Sequence, residues 1–202
     1  EAKGSNLKLI IRGGVGVDNI DVKYAEENGI VVRNTPNASS QSVAECALAH
    51  MFACARFISI AGAAMRNDIW DKKAYSKGIE LQGKTLGIIG FGRIGQAEGR
   101  IAKALGMNVL AYDLFPNDSG REIAEYVGLD ELYACADVIT LHCNLTPENT
   151  GMINKESIAK MKDGVILINN ARGQLIDEQD VADALNCGKI AAAGLDVVYT
   201  EP

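Results

Sequence analysis

The stretch from Lys84 to Asp113, KTLGIIGFGRIGQAEGRIAKALGMNVLAYD, constrains the fold more than any other part of the sequence. An apolar, β-branched run leads into a G-x-G-x-x-G motif (Gly90, Gly92 and Gly95), and a helical pattern follows directly. A second apolar run then ends at the acidic Asp113. Strand, glycines, helix, strand and acid in this order predict one βαβ unit of a parallel sheet.

Each glycine of this unit has a predicted role in binding a dinucleotide. Gly90 permits the tight turn, Gly92 lets a pyrophosphate approach the backbone, and Gly95 lets the helix pack closely on the strand. Asp113 can accept hydrogen bonds from ribose hydroxyls and would repel a 2′-phosphate, which favours NAD over NADP. FAD, or a glycine turn that serves packing alone, are the alternatives.

Apolar runs alternate with helical patterns along the rest of the chain, which predicts an α/β, Rossmann-type doubly wound parallel sheet. The runs are apolar throughout, as is typical of strands covered on both faces. A long connector helix is predicted over 42–66, with Ser42 and Glu45 as its capping box. Further helices are predicted at 94–105, 155–161 and 178–187, and strands at 7–11, 29–34, 85–90, 108–113, 137–142, 164–169 and 192–198.

Composition excludes several other classes of protein. The net charge of −6 argues against a general nucleic-acid binder, and no apolar stretch reaches the length that crosses a bilayer. The cysteines are odd in number and include no C-x-x-C pair, so we expect free thiols in a reducing cytoplasm rather than disulfides or a zinc site. They are Cys46, Cys54, Cys135, Cys143 and Cys187.

Three further stretches flank the glycine motif in a fixed order: RGGVGVDNIDV (12–22), NNARGQLIDEQDVADAL (169–185) and GLDVVYTEP (194–202). Together with the glycine motif they resemble the D-isomer-specific 2-hydroxyacid dehydrogenases, nearest to the phosphoglycerate and glycerate (hydroxypyruvate) branches. The resemblance implies NADH-dependent reduction of a 2-oxo acid by hydride transfer. It also implies that residues 1–20 are a remnant of a flavodoxin-like substrate domain, and that 21–202 form the NAD-binding domain with its Rossmann core at 84–198.

Two catalytic residues follow from the same resemblance. Arg172, in N-x-A-R-G, would hold the substrate carboxylate and polarise the keto oxygen. Glu201 would pair with a histidine, raise its pKa and keep it protonated as the acid. That histidine belongs to a T-P-H motif beyond Pro202, so residues 1–202 are expected to be an inactive fragment. His50 does not match it and is expected to be structural.

The resemblance also assigns cofactor contacts. His142 either lies near the nicotinamide ribose or is structural, and Asn144 departs from the proline usual after L-H-C. Arg12 either binds a phosphate of the substrate or is a surface residue, within a loop, 12–16, that could form a nest of N–H groups. The remaining contacts are Arg93 and Ile94 for the pyrophosphate, Cys143 for the adenosine side, and Val15, Asn170, Ala171 and Asp196 for the nicotinamide half.

Two alternatives to a hydroxyacid dehydrogenase remain open at this point. The C-terminal-binding-protein corepressors resemble the same family and use NADH occupancy to control partner binding, and a relative of formate dehydrogenase is the other alternative. Beyond its small-molecule substrate, the protein is expected to form a homodimer through the long helix and the segment 66–84, with Trp70 near the interface. No nucleic-acid or membrane partner is expected.

Overall fold

The N-terminal part forms a small parallel sheet of its own. The structure, a computed structural model, describes residues 6–200. Strand β1 (Leu9–Arg12) and strand β2 (Val31–Asn34) pair in parallel and are joined by helix α1 (Val22–Glu27). The predicted domain boundary at residue 20 therefore lies between two strands of one sheet. The division into a substrate-domain remnant and an NAD-binding domain stays a prediction.

A six-stranded sheet, parallel in every pairing, carries the rest of the fold. Its spatial order is β5-β4-β3-β6-β7-β8. Numbered within this sheet the order is 3-2-1-4-5-6, that of dinucleotide-binding doubly wound folds, with the switch point between its first and fourth strands. The strands are β3 (Thr85–Ile89), β4 (Asn108–Tyr112), β5 (Glu125–Tyr126), β6 (Val138–Leu141), β7 (Val165–Asn169) and β8 (Ile190–Leu195).

Successive residues of the strands point to opposite faces of the sheet, and both faces are covered. Ile88 packs in a cluster with Met51 and Phe91, whereas Ile89 packs in a second cluster with Leu132 and others on the opposite face. This confirms the prediction of a doubly covered sheet. The covering helices are α2 (Ser40–Arg56), α4 (Arg93–Ala104), α6 (Leu129–Cys135), α7 (Lys155–Lys160) and α8 (Glu178–Cys187), and the shorter α5 (Asp118–Arg121) precedes β5.

The predicted connector helix is two helices rather than one. Phe57 adopts a left-handed conformation with φ of 59°, which ends α2 and starts α3 (Ile58–Arg66). Its ring contacts Tyr75, with centroids 6.2 Å apart, so tertiary packing accompanies a break that no glycine or proline marks. The predicted capping box is also wrong, because α2 begins at Ser40 and encloses Ser42.

No single helix among residues 6–200 is long and apolar enough to span a membrane; α2 and α3 meet the length and composition test only as a pair bent by 70°.

Candidate cofactor and substrate site

A cleft of about 490 Å³ lies at the carboxyl ends of the strands, where the order of the large sheet reverses. Ligands of open parallel sheets bind at this position. A larger hollow of about 600 Å³ lies beside β4 and β5 and contains no predicted site residue. The cleft is lined by Arg12, Val15, Gly16, Val17, Asp18, Ser39, Val43, Ile94, His142, Cys143, Asn144, Leu145, Asn170, Ala171 and Arg172.

The glycine turn after β3 makes two close approaches and leaves one open position. Gly90 has φ of +92°, and a Cβ there would lie 2.6 Å from the carbonyl carbon of His142. A Cβ on Gly95 would lie 2.5 Å from the carbonyl oxygen of Gly90. A Cβ on Gly92 would meet no atom within 4 Å. Gly90 therefore permits the turn and Gly95 the close packing of α4, whereas Gly92 faces open space.

Helix α4 begins at the edge of this open space. Gly92 is its N-cap and offers no side-chain hydrogen bond to the helix, so the N–H groups of the first turn point toward the space without a side-chain cap. Such an uncapped N-terminus is a ready site for an anionic group. Arg93 is exposed on this turn, and Ile94 is half-buried and lines the cleft.

Asp113 ties the end of β4 to the glycine turn. One carboxylate oxygen accepts a hydrogen bond from the Phe91 N–H at 2.6 Å, and the other accepts from the Phe115 N–H at 2.8 Å. Each carboxylate oxygen has a second lone pair that can accept a further hydrogen bond. Asp113 is half-buried beside the turn, and its contact with an adenosine ribose stays a prediction.

At the end of β6, His142 is paired inside the fold. Its Nε2 lies 2.5 Å from Oε2 of Glu98 on α4 and 3.2 Å from Oγ1 of Thr140, and both side chains of the His–Glu pair are buried. Nδ1 has no hydrogen-bond partner among the described residues. The next residue, Cys143, lines the cleft, and burial raises the pKa of its thiol to about 11. Glu98 was not predicted as part of this region.

The loop after β7 is shaped by a buried asparagine that sequence reasoning missed. Asn169 accepts a hydrogen bond from the Ala171 N–H at 3.0 Å and donates to the Arg172 carbonyl at 2.9 Å. Its neighbour Asn170 donates to Sγ of Cys46 at 3.3 Å. Oδ1 of Asn170 is buried and has no hydrogen-bond partner among the described residues. Asn170 and Ala171 both line the cleft.

Arg172 already holds a carboxylate at the cleft. Its Nε donates to Oδ2 of Asp18 at 2.8 Å and its Nη2 to Oδ1 at 2.6 Å, while Nη1 donates to the Ala171 carbonyl at 2.6 Å. The hydrogen bonds from Arg172 hold the pKa of Asp18 below its usual value. A Cβ on Gly16 would overlap the guanidinium, so the N-terminal loop lies directly against Arg172.

Asp18 was missed as a site residue although it stands in the quoted stretch 12–22. The loop after β1 lies against Arg172 at the carboxyl ends of the large sheet's strands. Within this loop, the Val15 carbonyl accepts a hydrogen bond from Nδ2 of Asn34 at 2.7 Å. Arg12 folds back to its own loop and donates to the Gly13 carbonyl at 3.1 Å. Both Arg12 and Val15 line the cleft.

Among the described residues, several predicted contacts are not part of the cleft lining: Gly90, Gly92, Arg93, Gly95, Asp113 and Asp196. Asp196 follows β8, is exposed, and clusters with Cys46 and His50 of α2. The predicted catalytic Glu201 lies outside the described residues. The preceding segment is anchored, because the Tyr199 N–H donates to Oε1 of Glu178 at 2.6 Å and the Tyr199 carbonyl accepts from Gln174 at 2.9 Å.

The strand order, the glycine turn and the acid after β4 define a dinucleotide-binding domain of the dehydrogenase class. The chain belongs to the family described as D-isomer specific 2-hydroxyacid dehydrogenase, NAD binding domain, whose profile matches residues 48–202. This confirms the family and the fold class predicted from sequence, and NAD as the cofactor.

Relatives of this chain carry several hydroxyacid activities. It is 52% identical over 199 residues to hydroxypyruvate reductase of Thermotoga maritima, covering 98% of this chain and 64% of that protein. It is 51% identical over 206 residues to D-3-phosphoglycerate dehydrogenase of Methanocaldococcus jannaschii, covering 99% of this chain and 38% of that protein. The structure of D-lactate dehydrogenase of Aquifex aeolicus, complexed with NAD and lactic acid, matches with a TM-score of 0.87 and 38% identity, covering 98% of this chain and 60% of that one.

Proposed function

We propose that this chain is the cofactor-binding part of an NAD-dependent oxidoreductase that reduces a 2-oxo acid to a D-2-hydroxy acid. The observation that carries the proposal is the pair of hydrogen bonds that Arg172 donates to the two carboxylate oxygens of Asp18 at the edge of the cleft. A guanidinium that holds one carboxylate in this geometry suits the carboxylate of a substrate as well. The proposed substrate class, a 2-oxo acid, combines a carboxylate that Arg172 would hold with a keto oxygen on the adjacent carbon.

The residues around the cleft fit the cofactor. The open space at Gly92 and the uncapped N-terminus of α4 suit a pyrophosphate, and Asp113 suits the adenosine ribose. The buried, unpartnered Oδ1 of Asn170 offers an acceptor on the nicotinamide side. The other residues proposed to hold the cofactor are Gly90, Arg93, Ile94, Gly95, Cys143, Val15, Ala171 and Asp196.

The cofactor, when bound, supplies or accepts the hydride. The chain's own part in the reaction is positioning. Arg172 would hold the substrate carboxylate and polarise the keto oxygen, and Asp18 would keep the guanidinium oriented. Glu201 is proposed to pair with the acid that protonates the oxygen. The ring of His142 is engaged with the buried Glu98, which supports a structural or positioning role for it.

Calorimetric titration with NADH and with NADPH tests the cofactor half of the proposal. We expect micromolar binding of NADH, about −8 kcal/mol, and much weaker binding of NADPH. Asp113→Asn should weaken NADH binding and narrow the difference between the two cofactors, because the negative charge that repels the 2′-phosphate is gone. Equal affinity for both cofactors in the unmodified protein would contradict the role of Asp113.

A panel of 2-oxo acids tests the substrate half. Hydroxypyruvate, glyoxylate, pyruvate and phosphohydroxypyruvate should be offered to the full-length protein with NADH oxidation as the readout. Turnover of about 1 per second or faster on any of them supports the proposal. NADH binding without turnover of any 2-oxo acid would favour the NADH-sensing binding module instead. The inactivity of residues 1–202 on their own stays a prediction, which the same assay checks.

We further propose a cytoplasmic homodimer. No residue of α3 is buried, and Ile58, Ile60 and Trp70 leave an apolar surface that is 58%, 55% and 77% exposed, respectively. All five cysteines are free thiols, which supports a reducing compartment. Light scattering should give the mass of two chains, and Trp70→Glu should shift it to one. A single-chain mass for the unmodified protein at high concentration would contradict the dimer.

A further inference from the structure

Three potential metal ligands from two distant parts of the chain come together beside Asn170, which lines the cleft. Sγ of Cys46, an imidazole nitrogen of His50 and a carboxylate oxygen of Asp196 all lie within 4.8 Å of one another. Cys46 and His50 are four residues apart on α2 and therefore share one face of the helix. Asp196 comes from the segment after β8.

The fold holds this arrangement in place. Helix α2 packs against β7 and β8, and a Cβ on Gly194 would lie 2.7 Å from Cβ of His50. The bare glycine therefore lets the helix come close enough for His50 to reach the residue after the strand. Cys46 and His50 are half-buried on the packed helix, whereas Asp196 is exposed. Asp196 therefore faces the solvent from which an ion would enter.

The cluster also has a supporting hydrogen bond. Nδ2 of Asn170 donates to Sγ of Cys46 at 3.3 Å, and an N–H donor at sulfur stabilises a thiolate. Groups that hydrogen-bond to a metal ligand orient it and tune its basicity. Asn170 is half-buried and its Nδ2 already donates to Sγ of Cys46, so the donor is in position before a cation binds.

We propose that Cys46, His50 and Asp196 form a binding site for a divalent cation of borderline softness, with zinc as the physiological ion. Thiolate, imidazole and carboxylate are the three ligand types that zinc takes in proteins, and the mixture disfavours magnesium and calcium, which take oxygen ligands. Three protein ligands leave one tetrahedral position for water. Binding releases the thiol proton, so affinity rises with pH.

The site has a consequence that rests on the proposed function. Asp196 is also proposed to contact the nicotinamide half of the cofactor, and one carboxylate cannot serve a bound cation and the carboxamide in the same way. Zinc and NADH therefore oppose each other's binding, and the coupling is reciprocal. Zinc would therefore inhibit the proposed reaction by weakening the binding of NADH.

Cobalt(II) titration followed by absorption spectroscopy tests the site directly, because a bound thiolate gives a charge-transfer band. The protein should carry Cys135→Ser and Cys187→Ser, which remove the two exposed thiols. We expect one equivalent of cobalt to bind, with a thiolate band that zinc abolishes. Cys46→Ser should eliminate the band.

Loss of a group that merely orients a metal ligand costs about 10- to 100-fold in affinity. We therefore expect Asn170→Ala to weaken cobalt binding by about tenfold, and His50→Ala or Asp196→Asn to weaken it by more than Asn170→Ala does. Cys54→Ser is the matched control, because Cys54 lies on the same helix, is half-buried and stands outside the cluster. It should keep both the band and the affinity.

The proposal is overturned if cobalt does not bind saturably, if the band survives in Cys46→Ser, or if Cys54→Ser loses it equally. Titration of NADH with and without saturating zinc then separates this site from the proposed function. Weaker NADH binding in the presence of zinc, absent in Cys46→Ser, supports both. Cobalt binding at the three ligands with no effect of zinc on NADH keeps the metal site and refutes the role of Asp196 in cofactor binding.

Discussion

Alanine at Gly90 should destabilise the protein, whereas alanine at Gly92 should weaken cofactor binding and leave the fold intact. A Cβ on Gly90 would lie 2.6 Å from the carbonyl carbon of His142 and 2.7 Å from Cα of Cys143, with the Cys143 nitrogen closer still. These are backbone atoms of the neighbouring strand end, so no side-chain rotation relieves the overlap.

The expected size of the effect at Gly90 follows from two contributions. Its φ of +92° lies in the left-handed region, which costs a residue with a Cβ roughly 1–2 kcal/mol. Overpacking against a fixed neighbour adds about 1–3 kcal/mol. The sum of about 2–5 kcal/mol corresponds to a melting temperature lower by about 4–20 °C for a chain of this length, at about 2–4 °C per kcal/mol.

Gly92 is the matched control in the same turn. A Cβ there meets nothing within 4 Å, and φ is −78°. Replacing glycine by alanine at an N-cap costs less than about 1 kcal/mol, so the melting temperature should fall by no more than about 4 °C. The added methyl group would occupy the space proposed for the pyrophosphate, and NADH affinity should fall by at least about tenfold, or 1.4 kcal/mol.

Thermal unfolding followed by circular dichroism and calorimetric NADH titration, run on both variants, check the two halves of this reasoning. Melting of Gly90→Ala within about 2 °C of the unmodified protein would refute the argument from close packing at the turn. Unchanged NADH affinity of Gly92→Ala would refute the position assigned to the pyrophosphate. Both variants losing stability equally would show that the open space at Gly92 is not real.

Three other substitutions test the remaining contacts. In the 2-oxo acid assay that tests the proposed function, Arg172→Lys should raise the KM by roughly 10- to 150-fold, because one charge-assisted hydrogen bond of about 1.5–3 kcal/mol is lost. NADH affinity measured alongside should not change. Asp18→Asn should lower the free energy of unfolding by no more than about 1 kcal/mol, since the pair is partly exposed. The pKa of Asp18 is lowered in the folded state from 3.8, so the stability that Asp18→Asn loses is present at neutral pH and disappears as the pH falls through the lowered pKa. Urea unfolding of both proteins at neutral and acidic pH should show this change. A difference in the free energy of unfolding that persists in acid would contradict it. His142→Leu leaves Glu98 buried without its partner and should cost about 3–5 kcal/mol, whereas adding Glu98→Met should recover most of the loss in a thermal melt; equal losses in the single and double variants would argue against the pair.

Much of the fold was predictable because the strands of a doubly covered sheet are unbroken apolar runs. The strands from Thr85–Ile89 to Val165–Asn169 lie within one or two residues of the predicted bounds, except for Glu125–Tyr126, which is too short to show a pattern. The break at Phe57 was not predictable, because a non-glycine residue in the left-handed region carries no local signal. Its conformation accompanies packing on Tyr75, a contact that only the folded chain provides.

The functional site was likewise predictable where its residues are close in sequence and not where they are far apart. The glycine turn is encoded within a few residues, so its geometry follows from spacing alone. The partner of Arg172 is Asp18, 154 residues away, and the two meet because the loop after β1 crosses the ends of the large sheet. Cys46 and His50 show helical spacing in the sequence, but α2 was predicted without knowing which strand it covers. The position of α2 against β8 supplies Asp196. The sequence alone therefore does not show that the pair on α2 and Asp196 come together, because this depends on the strand that α2 covers.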